Sequence, residues 1–178
     1  RFTYPLQIGD QIIEPGIQAY TGQYVVTREQ TSNGAKFKAD RNYLDQRAAA
    51  TFVLYPKPFG ILTEYTIGKG PEFNPATDSI ETRSLHGGFI TLSYMLKKKD
   101  QIFIPFVRGQ YYNGGKKHEL DARSYRVREL EIGLEWQPVK QFELVAMYTI
   151  SSRRYEDFAL QNNLQRGNLL RLQAQINF

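Results

Sequence analysis

From Leu170 to Phe178, apolar and polar residues alternate. Leu170, Leu172, Ala174, Ile176 and Phe178 take the even positions, and Arg171, Gln173, Gln175 and Asn177 the odd ones. Strand side chains point alternately to opposite faces, so this pattern predicts a strand with one apolar and one polar face. The same period recurs upstream. "RELEIGLEW" puts Leu130, Ile132, Leu134 and Trp136 on one face and Glu129, Glu131 and Glu135 on the other. "PGIQAYTGQYVV", "DQRAAATFVLY", "FGILTEYTIG", "GGFITLSYML" and "QFELVAMYTISSR" repeat it. In "QIFIPFVRGQYY" parity is ambiguous, because Arg108, Gln110 and Tyr112 share theirs with Ile104 and Phe106. The sum is about eight strands of roughly ten residues, with no helical period.

The connections predicted between these strands alternate in length. Residues 55–59, 96–100 and 137–141 form tight turns, whereas 28–41, 68–80, 113–124 and 154–166 read as longer polar loops. Short turns at one end and long loops at the other describe an up-and-down meander whose ends meet different surroundings. Two folds suit it. A soluble barrel turns its apolar face inward, and an outer-membrane barrel turns it toward lipid. The polar face carries Arg47, Glu64, Arg108, Glu129, Glu131, Glu135, Glu143 and Arg171, which either fold can solvate. Three features favour the membrane. The strands have the length that a tilted crossing needs. The turns are asymmetric. Aromatics (Tyr55, Phe59, Tyr94, Trp136 and Phe142) gather beside the short turns as an interfacial girdle would. The expected fold class is therefore all-β, an antiparallel up-and-down transmembrane β-barrel.

Composition narrows the function. Hydrophobic residues make up 41% of the 178, and no apolar run approaches the roughly 18 of a membrane helix. Aromatics reach 13%, which suits strands and wet/apolar boundaries. Cysteine is absent, which excludes disulfides and thiolate metal sites. The charge of +5 is modest and Lys and Arg are scattered, so no nucleic-acid partner is expected. His86 and His118 lie in different hairpins and in no nucleophile motif. Neither an enzyme, a cofactor nor a metal site is expected; a barrel hydrolase built on "SLHGG" is the weakest alternative.

The chain's ends carry two further expectations. A terminal strand closing on an aromatic is the signal that barrel-assembly machinery reads, which assigns Phe178 that role. "RFTYPLQIGDQIIEPG" opens as the tail of a strand and a turn. Residues 1–14 are thus expected to finish a preceding strand, and 15–178 to supply about eight strands in the C-terminal part of one longer barrel domain.

Several stretches carry a family resemblance: "DQIIEPGIQAYTG", "DQRAAATFVLYPKPFG", "GKGPEFN", "FVRGQYYNGGKKHELDARSYRVRELEIGLEWQPVKQFEL" and "GNLLRLQAQINF". Together they resemble the C-terminal half of outer-membrane porins similar to the phosphate-selective porin O and P family. The resemblance implies a trimeric barrel of about 16 strands with basic residues along the pore. It also implies the outer membrane of a Gram-negative bacterium, passage of small solutes or anions, and contact with outer-membrane lipid and lipopolysaccharide. The expected function is passive diffusion through a water-filled channel, with weak anion preference. The alternative is a non-conducting barrel that serves as an anchor or as a subunit of a larger membrane complex. The pore-lining candidates are Arg47, Glu64, Arg108, Gln110, Glu129, Glu131, Arg171 and Gln173. The arginines admit two readings: a positive wall for anions, since guanidinium binds phosphate bidentately, or lumenal salt bridges to the glutamates. Lys97, Lys98 and Lys99 read as a solvated turn. Lys116, Lys117 and His118 read as a solvated outer loop, or as a bridge to lipopolysaccharide phosphates.

Overall fold

The computed structural model describes residues 1–26, 30–32, 35–37, 41–74, 77, 79–116, 122–155 and 163–176. In chain order its strands are β1 (Phe2–Thr3), β2 (Leu6–Ile8), β3 (Gln11–Val26), β4 (Gln30–Ser32), β5 (Ala35–Phe37), β6 (Arg41–Leu54) and β7 (Phe59–Asn74). They continue as β8 (Ser79–Tyr94), β9 (Leu96–Lys98), β10 (Gln101–Gly115), β11 (Ser124–Val139), β12 (Phe142–Tyr155) and β13 (Asn163–Ile176). Eleven of them make one antiparallel sheet in the order β1-β3-β6-β7-β8-β10-β11-β12-β13, with β2 on β3 and β9 on β10, and β4 and β5 form a separate hairpin. The all-β meander expected from the two-residue period is present. The eight long strands correspond to the expected eight, and three short strands extend the sheet. Among the described residues the sheet is not closed on itself, and β13 pairs only with β12.

The long strands run 14 to 16 residues, not ten. The largest difference falls at 68–80, expected as a loop. There β7 and β8 stay paired from Gly68↔Leu85 through Pro71↔Thr82 to Asn74↔Ser79. Gly68, Gly70 and Pro71 are loop-frequent residues, but ladder bonds are made by backbone groups, which glycine keeps in full. Residues 113–124 and 154–166 likewise begin or end as strand, on β10, β11, β12 and β13.

A single sheet has no second layer to pack on, so burial is sparse. Buried Phe73, Ile80 and Ala122 form one small cluster, with Tyr24 and Tyr43 against it. It lies at the long-loop end, where Phe73 N–H donates to the Ala122 carbonyl at 2.9 Å and the segment before β11 returns to β7. Elsewhere large apolar side chains stay open: Ile132 is 54% exposed and Leu172 68%.

Candidate functional site: one polar face of the sheet

The ladders fix which residues share a face. Side chains directly opposite in an antiparallel pair lie on the same side, so a face can be followed from strand to strand. Glu64, Phe89, Gln110, Glu129 and Ser151 stand in one cross-strand row. Leu62, Thr91, Arg108, Glu131 and Thr149 form the next row toward the short turns. Arg171 follows through Gly133↔Met147↔Arg171, and Gln173 through Glu135↔Val145↔Gln173. Arg47 sits opposite Gly68, two rows toward the long loops from Glu64. All eight predicted residues therefore lie on one face, spread across it. This also resolves β10. Val107 opposes Ile132 on the apolar face, which leaves Arg108 and Gln110 on the polar one.

Side-chain contacts join neighbours along these rows. Glu129 is the densest node. It accepts from Gln110 Nε2, from Ser151 Oγ at 2.6 Å and from Arg153 Nη2 at 3.0 Å. In the adjacent row Arg108 Nη1 stands 3.9 Å from Glu131 Oε2, and its guanidinium lies 4.3 Å above the centre of the Phe89 ring. On the same face, on strands β3 and β6, Arg47 Nε is 3.5 Å from Asp45 Oδ1, and Tyr20 donates its hydroxyl to the same carboxylate at 3.1 Å. Glu64 accepts from Gln18 and Thr66, both at 3.4 Å. Gly68 makes room for Arg47, since a Cβ there would stand 2.9 Å from the arginine Cγ.

Two of the three candidate arginines are thus paired with carboxylates on their own face. The third, Arg171, stands on edge strand β13 and is not brought near the other two. Sequence reading missed Asp45, Ser151 and Arg153. Asp45 and Arg153 fall beside predicted loops, but the two-residue parity carried two steps further puts Asp45 with Arg47, and Arg153 with Ser151 and Thr149.

The opposite face is apolar through its middle. Thr63, Ile90, Gly109, Leu130 and Ile150 form one row, and Ile61, Leu92, Val107, Ile132, Tyr148 and Leu170 the next. Near the short turns Phe59 faces Tyr94, and Phe103 stacks on Trp136 with ring centres 6.2 Å apart. Tyr55 departs from this girdle. It donates its hydroxyl at 3.2 Å to Glu14, a polar-face residue opposite Val53, and the carboxylate raises the phenol's pKa above the ordinary tyrosine value. His86 lies toward the long loops on the apolar side, its Nε2 3.3 Å from Asn113 Nδ2 and its ring edge-on to Tyr111.

Lys97 and Lys98 belong to β9, and Lys99 makes the turn with a positive φ of 55°. Lys116 holds its ammonium 4.7 Å over the Tyr125 ring. Lys117, His118 and Phe178 lie outside the described residues.

No curated protein and no solved structure matches the chain. A family model does: the model described as phosphate-selective porin O and P matches residues 4–178, which takes in the whole sheet and its polar face. The chain therefore belongs to the phosphate-selective porin O and P family.

Proposed function

We propose that the chain forms part of the wall of a water-filled channel through the outer membrane of a Gram-negative bacterium, passing small solutes by passive diffusion. One observation carries this reading: every carboxylate on the eight long strands stands on one face, and the other face carries an exposed band of Leu, Ile and aromatic side chains. An exposed apolar band with no layer over it is stable against lipid, and the charged face is stable against water. The long loops then face outward and the short turns the periplasm. The free edge of β13 supports closure with strands beyond the eight, because unpaired ladder groups are costly in hydrocarbon. A wall of about 16 strands leaves an aqueous lumen, whereas eight closed alone leave one filled by side chains.

Selectivity on this reading is weak. Arg47 and Arg108 are neutralised locally by Asp45 and Glu131, and Arg171 shares its face with Glu64, Glu135 and Glu143. General diffusion with at most a slight anion preference fits better than strong phosphate binding. The test is conductance of the intact protein in a planar bilayer, with the reversal potential read in a KCl gradient. Steady open channels with a near-zero or slightly anion-selective reversal potential are expected. Silence of correctly folded protein would sink the channel and leave an anchoring barrel.

A further inference from the structure

The apolar face has a second property, set by where its cations lie. Following the ladders toward the long loops, the row Ile67, His86, Asn113, Arg126, Arg154 follows the row Tyr65, Gly88, Tyr111, Arg128, Ser152, Arg166. Arg126, Arg128, Arg154 and Arg166 are therefore neighbours on three adjacent strands, and Arg126 and Arg154 stand directly opposite one another. All four are exposed. Among the described residues none of them makes a hydrogen bond or an ion pair, and no long strand places a carboxylate on this face. Lys69 extends the same polarity, and an open groove of about 760 Å³ beside it is lined by Lys69, Arg83, Asn113 and Arg126 and by one acid, Glu72.

Like charges directly opposite on a sheet repel. A cluster of them against membrane, with no acid on the long strands of its own face, suits an anion supplied by the surroundings. The depth fits a headgroup. Tyr65 and Tyr111 flank Gly88 in the row that holds Arg128, at the height of an interfacial girdle, and the apolar band lies just below. From Arg128 to Trp136 is roughly 27 Å along the strand, about 20 Å of membrane at the usual ~40° tilt.

We propose that this patch binds the phosphate groups of a phosphorylated lipid headgroup in the leaflet at the long-loop end. Guanidinium groups pair bidentately with phosphate, and a polyphosphorylated headgroup brings several anions to several arginines at once. A second copy of the chain fits less well. Two such faces brought together would set cations against long strands that offer no carboxylate. The inference rests on the reading of this face as lipid-facing.

The test titrates the intact, detergent-solubilised protein with bis-phosphorylated lipid A and with its dephosphorylated form, each followed by native mass spectrometry. Inorganic phosphate serves as competitor. The variants are R126Q/R154Q, R128Q/R166Q and the quadruple change; the pairs stand in if the quadruple does not fold. Expected are preference for the phosphorylated lipid, at least about a tenfold weaker binding in the quadruple variant, intermediate loss in each pair, and an unchanged channel reversal potential. Equal binding of both lipids, or full retention in the variants, overturns the inference alone. So does displacement by millimolar inorganic phosphate, or a change of oligomeric state without loss of lipid. A shifted reversal potential overturns the facing assignment with it.

Discussion

Arg108 lies where a salt bridge and a ring meet, with Glu131 at 3.9 Å on one side and Phe89 at 4.3 Å below. The guanidinium is about a third exposed and its partner largely covered, so solvent screens the pair and it contributes under about 1 kcal/mol. The ring adds a similar amount. Arg108→Gln should therefore destabilise the protein by about 1 kcal/mol in urea unfolding from lipid vesicles. Its electrical effect should be clearer. Removing the guanidinium strands the Glu131 carboxylate and moves the reversal potential toward cations. Arg108→Gln combined with Glu131→Gln removes a pair of zero net charge and should restore it. A double variant that stays as displaced as the single one would mean that Glu131 is not what balances Arg108.

At the scale of the strand, Leu172 and Gln173 are adjacent on β13 and face opposite ways. Leu172→Arg should cost roughly 2–4 kcal/mol of folding free energy in vesicles, and Gln173→Arg well under 1 kcal/mol. Equal tolerance would contradict the assignment of faces. These faces were legible in the sequence because one residue of the strand fixes the parity of the rest. Strand ends were not. A ladder continues for as long as two backbones lie side by side, and Gly68, Gly70 and Pro71 do not report that partnership. Nor could β10 be oriented from its own residues, since both parities carry aromatics, and pairing with Ile132 decides it. Neutralisation of Arg47 and Arg108 was foreseeable as one of two options. The choice between them needed the neighbours across the ladder. The arginines of the apolar face looked scattered because Arg126, Arg154 and Arg166 meet only through three strands in register.

Taken whole, the sheet is a meander in which each long strand pairs with those before and after it in sequence. Structure of this kind is close to one-dimensional. Neighbouring long strands are joined by local connections, short turns at one end and longer loops at the other, so ordering a hairpin costs limited loop entropy and does not wait for distant parts of the chain. Damage should then stay where it is made. Gly88 offers a place to make it, since a Cβ there would sit 2.5 Å from the Glu64 carbonyl oxygen and 3.2 Å from Tyr65. Gly88→Val should force β7 and β8 apart. Hydrogen exchange should show their amides losing protection, while those joining β12 to β13 keep theirs. Loss spread evenly over all the strands would mean that the wall opens as a single cooperative unit. The expected local loss means that it frays like a zipper, one tooth at a time.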